Sequence, residues 1–343
     1  MPRPKNEKIT RLNYCQYLLS SQTNYTITNY AEHVEHLSHD MVNRYLRDEK
    51  LTPRLVWEHT EPQIIHDESG YIVFDDSIID KTYSREIEGV RWQYSGNAHG
   101  IIRGIGMVNC IYINPRTGQF WVIDFRIFDP ERDGKTKMDH VRDMLNNVHY
   151  NKQLPYKTVL MDSWYASAAL MLFISDLGKL FYCPIKSNRM AREAQSQGHY
   201  QKVTNLEWNE HELKVGKTIR LKGMPGDFSM KLFRVPVSTN RTDHVVTNDT
   251  SQSCADDTRK VCAMRWLIEQ FHRELKQITG LEFCQCRKQR IQRNHITCAV
   301  LVWVRLKQLA YKTGETVYQI KQGLLRNYLI EQLKNPTVSM GFA

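Results

Sequence analysis

Two short apolar runs rich in strand formers each end in an acid: Tyr71-Ile72-Val73-Phe74 meets Asp75-Asp76, and Thr158-Val159-Leu160-Met161 meets Asp162. Runs of this length bounded by polar residues fit buried strands, and in an open sheet the strand ends are where ligands gather. Two more strands are expected at 106–114 and 120–128. Pro115-Arg116-Thr117-Gly118 between them is turn chemistry, so they should form an antiparallel hairpin. A fifth is expected at 180–185, where Pro184 suits an end or an edge. Helices are expected over 136–148 and 165–175. This alternation predicts an α/β chain whose mixed sheet is flanked by helices.

The flanks read differently. Residues from about 10 to 60 are helical in pattern, with a break at Glu35-His36-Leu37 and Ser38 as the N-cap of the next helix. Asp40 suits that helix's positive end, and Val34, Leu37, Val42 and Leu46 would close a small core. One reading is a helix-turn-helix that turns Ser38, His39, Asn43, Arg44 and Arg47 toward a DNA groove; the other is a small packing domain with a solvated polar face, and both stay open. His33, His36 and His39 lack acidic or cysteine companions and read as surface residues. Residues 187–257 are polar with short alternating segments, as in a β-rich insertion, and the chain from Arg259 to about residue 335 is helical in pattern. The expected division is therefore 1–65, a helical DNA-binding domain; 66–186, the first part of the sheet domain; 187–257, the insertion; 258–313, the helices that complete the domain; and 314–343, a helical tail.

Charge is segregated along this order. The chain of 343 residues carries a net +10, and residues 259–343 hold 15 Lys/Arg against 5 Asp/Glu, which is the whole surplus. A localised positive field predicts a polyanionic partner, most simply nucleic acid. No apolar run approaches the roughly 20 residues of a membrane span, and Met1-Pro2-Arg3-Pro4-Lys5 leads into no signal-peptide core. A cytoplasmic chain without a membrane partner is expected. The 8 cysteines form no C-x-x-C pair and read as reduced thiols.

Plotted at 100° per residue, the segment 259–280 places Cys262, Arg265, His272, Arg273 and Lys276 within about 60° of Glu269. Met264, Leu267, Ile268, Phe271, Leu275 and Ile278 fall on the opposite side. Alone, that stripe is a solvated face with weak i, i+4 ion pairs. Together with Asp76 and Asp162 it suggests three carboxylates converging at one sheet edge. Such carboxylates repel unless cations neutralise them, which makes a pair of Mg²⁺ or Mn²⁺ ions the natural occupant. Two such ions can activate a water or a 3′-hydroxyl and stabilise the leaving oxygen in phosphodiester chemistry. Trp164, Trp208 and Phe228 are candidates for stacking on an unpaired base, with core or sheet packing as the competing role.

These residues resemble the DDE transposases of bacterial insertion sequences, in particular the group with a Tyr-x2-Arg-x3-Glu-x6-Lys signature. Arg265-x3-Glu269-x6-Lys276 matches that helix motif, and Phe74-Asp75-Asp76-Ser77 and Met161-Asp162-Ser163-Trp164-Tyr165-Ala166 resemble the first and second acid motifs. The likeness covers roughly residues 70–310. It implies a ribonuclease H-like fold with a β-rich insertion before the Glu helix. Asp76, Asp162 and Glu269 would be the metal-binding catalytic triad, and Arg265 and Lys276 would contact DNA. Cys262 stands where the signature has Tyr. Strand alternation puts Asp75 and Asp76 on opposite sides, and only the resemblance favours Asp76 over Asp75 as the first acid.

The implied protein binds the terminal inverted repeats of its own element, cuts the ends and joins the 3′-hydroxyls to target DNA. It would act as a homodimer or higher oligomer in a bacterial or archaeal nucleoid. His272, Arg273, Arg287, Lys288 and Arg290 would add to its DNA-holding side. A metal-dependent nuclease without strand transfer, and a catalytically inactive DNA-binding protein, are the alternatives.

Overall fold

The computed structural model describes residues 9–338 apart from 85, 97, 196, 197, 239 and 240. Helices α1 (Arg11–Ser20), α2 (Ile27–Glu32), α3 (His39–Asp48) and α4 (Pro53–Thr60) precede strands β1 (Tyr71–Asp80), β2 (Arg91–Ser95), β3 (Gly100–Ile113) and β4 (Phe120–Phe128). Then come α5 (Pro130–Asp133), α6 (Lys137–Asn146), β5 (Thr158–Leu160), α7 (Ala168–Asp176) and β6 (Leu180–Ile185). The insertion holds β7 (Met190–Glu193), β8 (Gln201–Lys202), α8 (Glu210–Val215), β9 (Lys217–Leu221), β10 (Met230–Ser238) and β11 (Arg241–Thr247). Helices α9 (Ala255–Ala263), α10 (Trp266–Ile278), α11 (Gln289–Thr313), α12 (Val317–Gly323) and α13 (Arg326–Lys334) follow. The chain folds as two compact units, one of residues 1–63, 78–106 and 271–343, the other of residues 64–77 and 107–270.

The second unit is built on a mixed sheet in the order β4-β3-β1-β5-β6-β11-β10-β9-β7-β8, with β1 and β3 contributing their residues 71–77 and 107–113. At its centre β1 pairs parallel with β5, Val73 opposite Leu160, and β5 pairs parallel with β6, Leu160 opposite Tyr182. From β6 outward the insertion extends the sheet antiparallel, with Cys183 opposite Val246 on β11 and Phe233 on β10 opposite Val245. Helix α6 packs on β4, α7 on β6, and α9 on β6 and β10. This is the expected fold class: a mixed sheet flanked by helices, with a β-rich insertion before the helix that carries Glu269.

In the first unit, α11 is the axis. Its Trp303, Leu306 and Ile296 are fully buried, and α1, α3, α4 and α12 pack against it. Ser38 caps α3 as expected, its hydroxyl accepting from the Met41 amide. Val42 and Leu46 are buried, but Val34 is 42% exposed and takes no part in the core. The N-terminal helices thus close on α11. Asn294 fastens them: its side chain accepts from the Leu51 amide and donates to the Leu46 and Glu49 carbonyls. Tyr14 makes a 2.8 Å hydrogen bond to His295 Nδ1, and burial pushes that imidazole down to about 4, so it is neutral at physiological pH.

Three elements depart from the sequence expectation. Strand β1 does not end at Asp75-Asp76 but continues to Asp80, because the buried β-branched pair Ile78-Ile79 keeps it extended. Strand β3 begins at Gly100 and pairs with an unexpected β2, Trp92 opposite Arg103 and Tyr94 opposite Ile101. The segment 259–280 is two helices, α9 and α10, separated at Met264-Arg265.

Asn294 is fully buried and its three bonds join segments distant in sequence. Asn294→Ala should lower the unfolding free energy in urea by about 2–4 kcal/mol, the loss of buried hydrogen bonds with partners left unsatisfied. Its m-value should not change.

Candidate active site

Four carboxylates of the second unit meet around the β1–β5 pair. In the parallel register Val73 lies opposite Leu160, so two residues further on Asp75 is level with Asp162. Past Leu160 the chain leaves the sheet in an Asx turn: Asp162 Oδ1 accepts from the Trp164 amide at 2.9 Å and the Tyr165 amide at 3.2 Å. The helix expected over 165–175 follows as α7, which starts three residues later than expected, after the Ser167 N-cap. Glu269 comes from the first turn of α10. Asp75 and Glu269 bring carboxylate oxygens within 4.8 Å of one another.

The two neighbours on β1 have different surroundings. Asp75 is 8% exposed. Burial, and the negative charges of Glu269, Asp162 and Asp76, hold its carboxyl well above the usual range, with Arg265 opposing them. Asp76 is tied down instead, by Lys137 Nζ at 2.5 Å and by the Tyr165 hydroxyl, which donates to Oδ1 at 2.9 Å. Lys137 sits at the first position of α6, with its ammonium 5.6 Å from the Trp164 ring centre and 5.4 Å from that of Phe128. Burial also raises Asp162, against the lowering effect of its two backbone donors and Arg265. Tyr165 is raised by burial and by the acids it faces, so it remains a hydrogen-bond donor.

Arg265 is the cation of the cluster, 3.8 Å from Asp75 and 3.7 Å from Glu269. It lies at the break between α9 and α10. There it also lines a cavity of about 230 Å³ with Met161, Tyr182, Arg259, Cys262 and Trp266. Burial pushes the Cys262 thiol up to about 12, so it is neutral.

Asp76, Asp162, Glu269 and Arg265 thus come together with Asp75. Other residues of the expected basic stripe do not share one exposed face. His272 is only 6% exposed, although it shares α10 with Glu269 and keeps its place on that face of the helix; packing, and not the break at Met264-Arg265, removes it from solvent. Arg273 is exposed. Lys276 donates to the Ile78 carbonyl and pairs with Glu282. Arg287 pairs with Glu86, Lys288 with Glu88, and Arg290 donates to the Glu49 carbonyl.

In the N-terminal helices Ser38, His39, Arg44 and Arg47 are exposed, whereas Asn43 is half-buried and its amide faces the Cys286 sulfur. Of the stacking candidates, Trp164 is 48% exposed, and Trp208 lies 5.7 Å from the Lys217 ammonium. Sequence reasoning missed Lys137 and Tyr165. Tyr165, three residues beyond an acid at the end of a strand, was the one local signal for either.

The donor set fits a divalent metal. Hard carboxylate oxygens are the ligands Mg²⁺ and Mn²⁺ take, and the crowding that holds Asp75 above its usual range is what a cation would relieve. Asp75 and Glu269 bring oxygens close enough to share an ion, and Asp76 and Asp162 are the further carboxylates whose charge reaches Asp75. Among the described residues, no helix is long and apolar enough to cross a membrane.

The family model described as the transposase DDE domain matches residues 66–305. No curated protein matches the chain. A piggyBac transposase synaptic complex with hairpin DNA is similar at 10% identity and a TM-score of 0.49, over 98% of this chain and 77% of that one. An endonuclease V from Ciona intestinalis, in complex with an inosine-containing DNA, covers 70% of this chain and 99% of its own at 10% identity and a TM-score of 0.31. Human ENDOV covers 69% of this chain and 84% of its own at 11% identity and a TM-score of 0.29.

Because the folded carboxyl of Asp75 lies above its unfolded value, the folded chain binds that proton more tightly and loses stability as pH rises from the unfolded value through the folded one. Asp75→Asn should therefore raise the melting temperature of metal-free protein at pH 7.5. The gain should shrink as pH falls toward 4, where the unfolded carboxyl is protonated too. Thermal melts of both proteins across that range check the sign.

Proposed function

Since the chain belongs to the transposase DDE domain family, we propose that it binds the terminal inverted repeats of a mobile element, cuts the ends and joins them to target DNA. The observation that carries this reading is the convergence of Asp75, Asp76, Asp162 and Glu269 beside Arg265. Asp76, Asp162 and Glu269 are the proposed metal-holding triad. Bound there, a pair of Mg²⁺ or Mn²⁺ ions supplies activation of the attacking oxygen and stabilisation of the leaving oxygen.

In cleavage, water attacks phosphorus, the bond to the 3′-oxygen breaks, and a 3′-hydroxyl is left. In joining, that hydroxyl attacks a phosphodiester of the target and displaces its own 3′-oxygen. Arg265 is placed to set the rotamers of Asp75 and Glu269 and to offer its guanidinium to a phosphate. The Asx turn fixes Asp162, and Tyr165 orients Asp76. Two ends held together imply a homodimer or higher oligomer.

The closeness of Asp75 to Glu269 favours a second reading of the first acid, in which Asp75 rather than Asp76 completes the triad. Asp75→Asn and Asp76→Asn, assayed side by side for cleavage of an element-end duplex in Mg²⁺, decide between them: the true ligand loses cutting, and the other retains most of it.

Asp162→Asn should reduce cutting of the same duplex by more than about a hundredfold, beyond what changes outside the ligand sphere reach. Salt-sensitive DNA binding should stay within about twofold. Undiminished cutting would overturn the assignment, and cutting by the wild type without joined product would make the protein a nuclease.

The exposed pairs of Arg287 and Lys288 with Glu86 and Glu88 are individually weak, so these cations are available to phosphate at small cost. Neutralising Arg287, Lys288 and Arg290 together should flatten the dependence of log affinity on log salt, by up to about 0.9 for each phosphate that is no longer neutralised.

A further inference from the structure

Between Arg91 and Gly104 the first unit holds a two-stranded ribbon, β2 against the start of β3, at the end of the strand order. Directly opposed residues of an antiparallel pair share a face. Trp92 with Arg103 and Tyr94 with Ile101 therefore lie on one side of the ribbon. That side is exposed: Trp92 68%, Tyr94 66% and Ile101 68%.

Cross-strand side-chain pairs steady a hairpin by only about 0.2–1 kcal/mol each. Two protruding rings and an isoleucine leave more apolar surface in water than that role needs. The ribbon carries Arg91, His99 and Arg103 and no acid, and Gly96, Ala98 and Gly100 keep its turn small.

We infer that this ribbon is a second DNA-contacting surface, whose exposed rings stack on unpaired bases. Charge complementarity selects the occupant. An acid-free, arginine-bearing face with flat rings suits a polyanion whose bases present π-faces, whereas a second copy of this face would oppose arginine to arginine. Arg103 is anchored by donating to the Ser84 carbonyl, which fixes the strand that backs Trp92. The inference rests on the proposed action on DNA and adds a site distinct from the carboxylate cluster.

The test uses the full chain, with a fluorescent oligothymidine and a fully paired duplex as probes. Trp92→Ala with Tyr94→Ala should weaken oligothymidine binding about tenfold or more, the loss expected for stacked bases, and leave duplex binding within about twofold. Trp92→Phe should retain most of the affinity. A 2-aminopurine in the single strand should be quenched by the wild type, a measurement that does not depend on the double variant folding.

Absence of quenching, or equal losses on both probes, overturns the inference. So does a wild-type dimer that becomes a monomer in the double variant, which would make the face a contact between copies. Wild type that binds duplex while the variants bind oligothymidine normally defeats this inference alone. Wild type that binds neither probe defeats the proposed function with it.

Discussion

Like charges crowded into a partly dry space are the constraint on which the second unit depends. Two carboxylates within 4.8 Å, as Asp75 and Glu269 are, repel by roughly 3 kcal/mol at an effective dielectric near 20 when both are ionised, which is why Asp75 holds its proton above the usual range. Asp162 and Asp76 add to that field. A fold of marginal stability does not keep such an arrangement without compensation. Three sets of partners compensate the four acids. Arg265 faces Asp75 and Glu269, backbone amides cradle Asp162, and Lys137 with Tyr165 holds Asp76.

These partners come from elements that the sheet order brings together. Asp75 and Asp76 ride on β1, Asp162 follows its parallel neighbour β5, Lys137 opens α6 on the side of β4, and Arg265 and Glu269 follow α9, which packs on β6 and β10. Insertion strands β7 to β11 lie between β6 and α9 in sequence, yet they continue the same sheet. The helix carrying the last acid therefore returns to the strands that carry the first two. The site is a consequence of parallel pairing at the sheet's centre and antiparallel extension at its edge.

Much of this was legible in the residues. Apolar strand runs meeting acids, the turn at Pro115-Arg116-Thr117-Gly118 and the Ser38 cap are local signals, and local signals survive folding. What was not legible depends on partners distant in sequence. The continuation of β1 past Asp76 depends on burial of Ile78 and Ile79, which polar flanking residues concealed. A continuous wheel over 259–280 has no signal for the break at Met264-Arg265, and none for the packing that buries His272 where an exposed basic stripe was expected. Lys137, sixty-one residues from the acid it pairs with, carries no mark in a window of any helical or strand period. The β2–β3 ribbon is equally silent, because Trp92-Gln93-Tyr94 is too short a run to announce a strand.

Calorimetric titration of Mn²⁺ into the metal-free full chain tests most directly whether the carboxylate cluster holds divalent cations. Binding is predicted with a stoichiometry near two, in line with a two-ion site, and should be lost in Asp162→Asn with Glu269→Gln while the variant's fold is intact. Absence of binding by the wild type, or binding unchanged in that variant, would contradict a metal-holding role for these four acids.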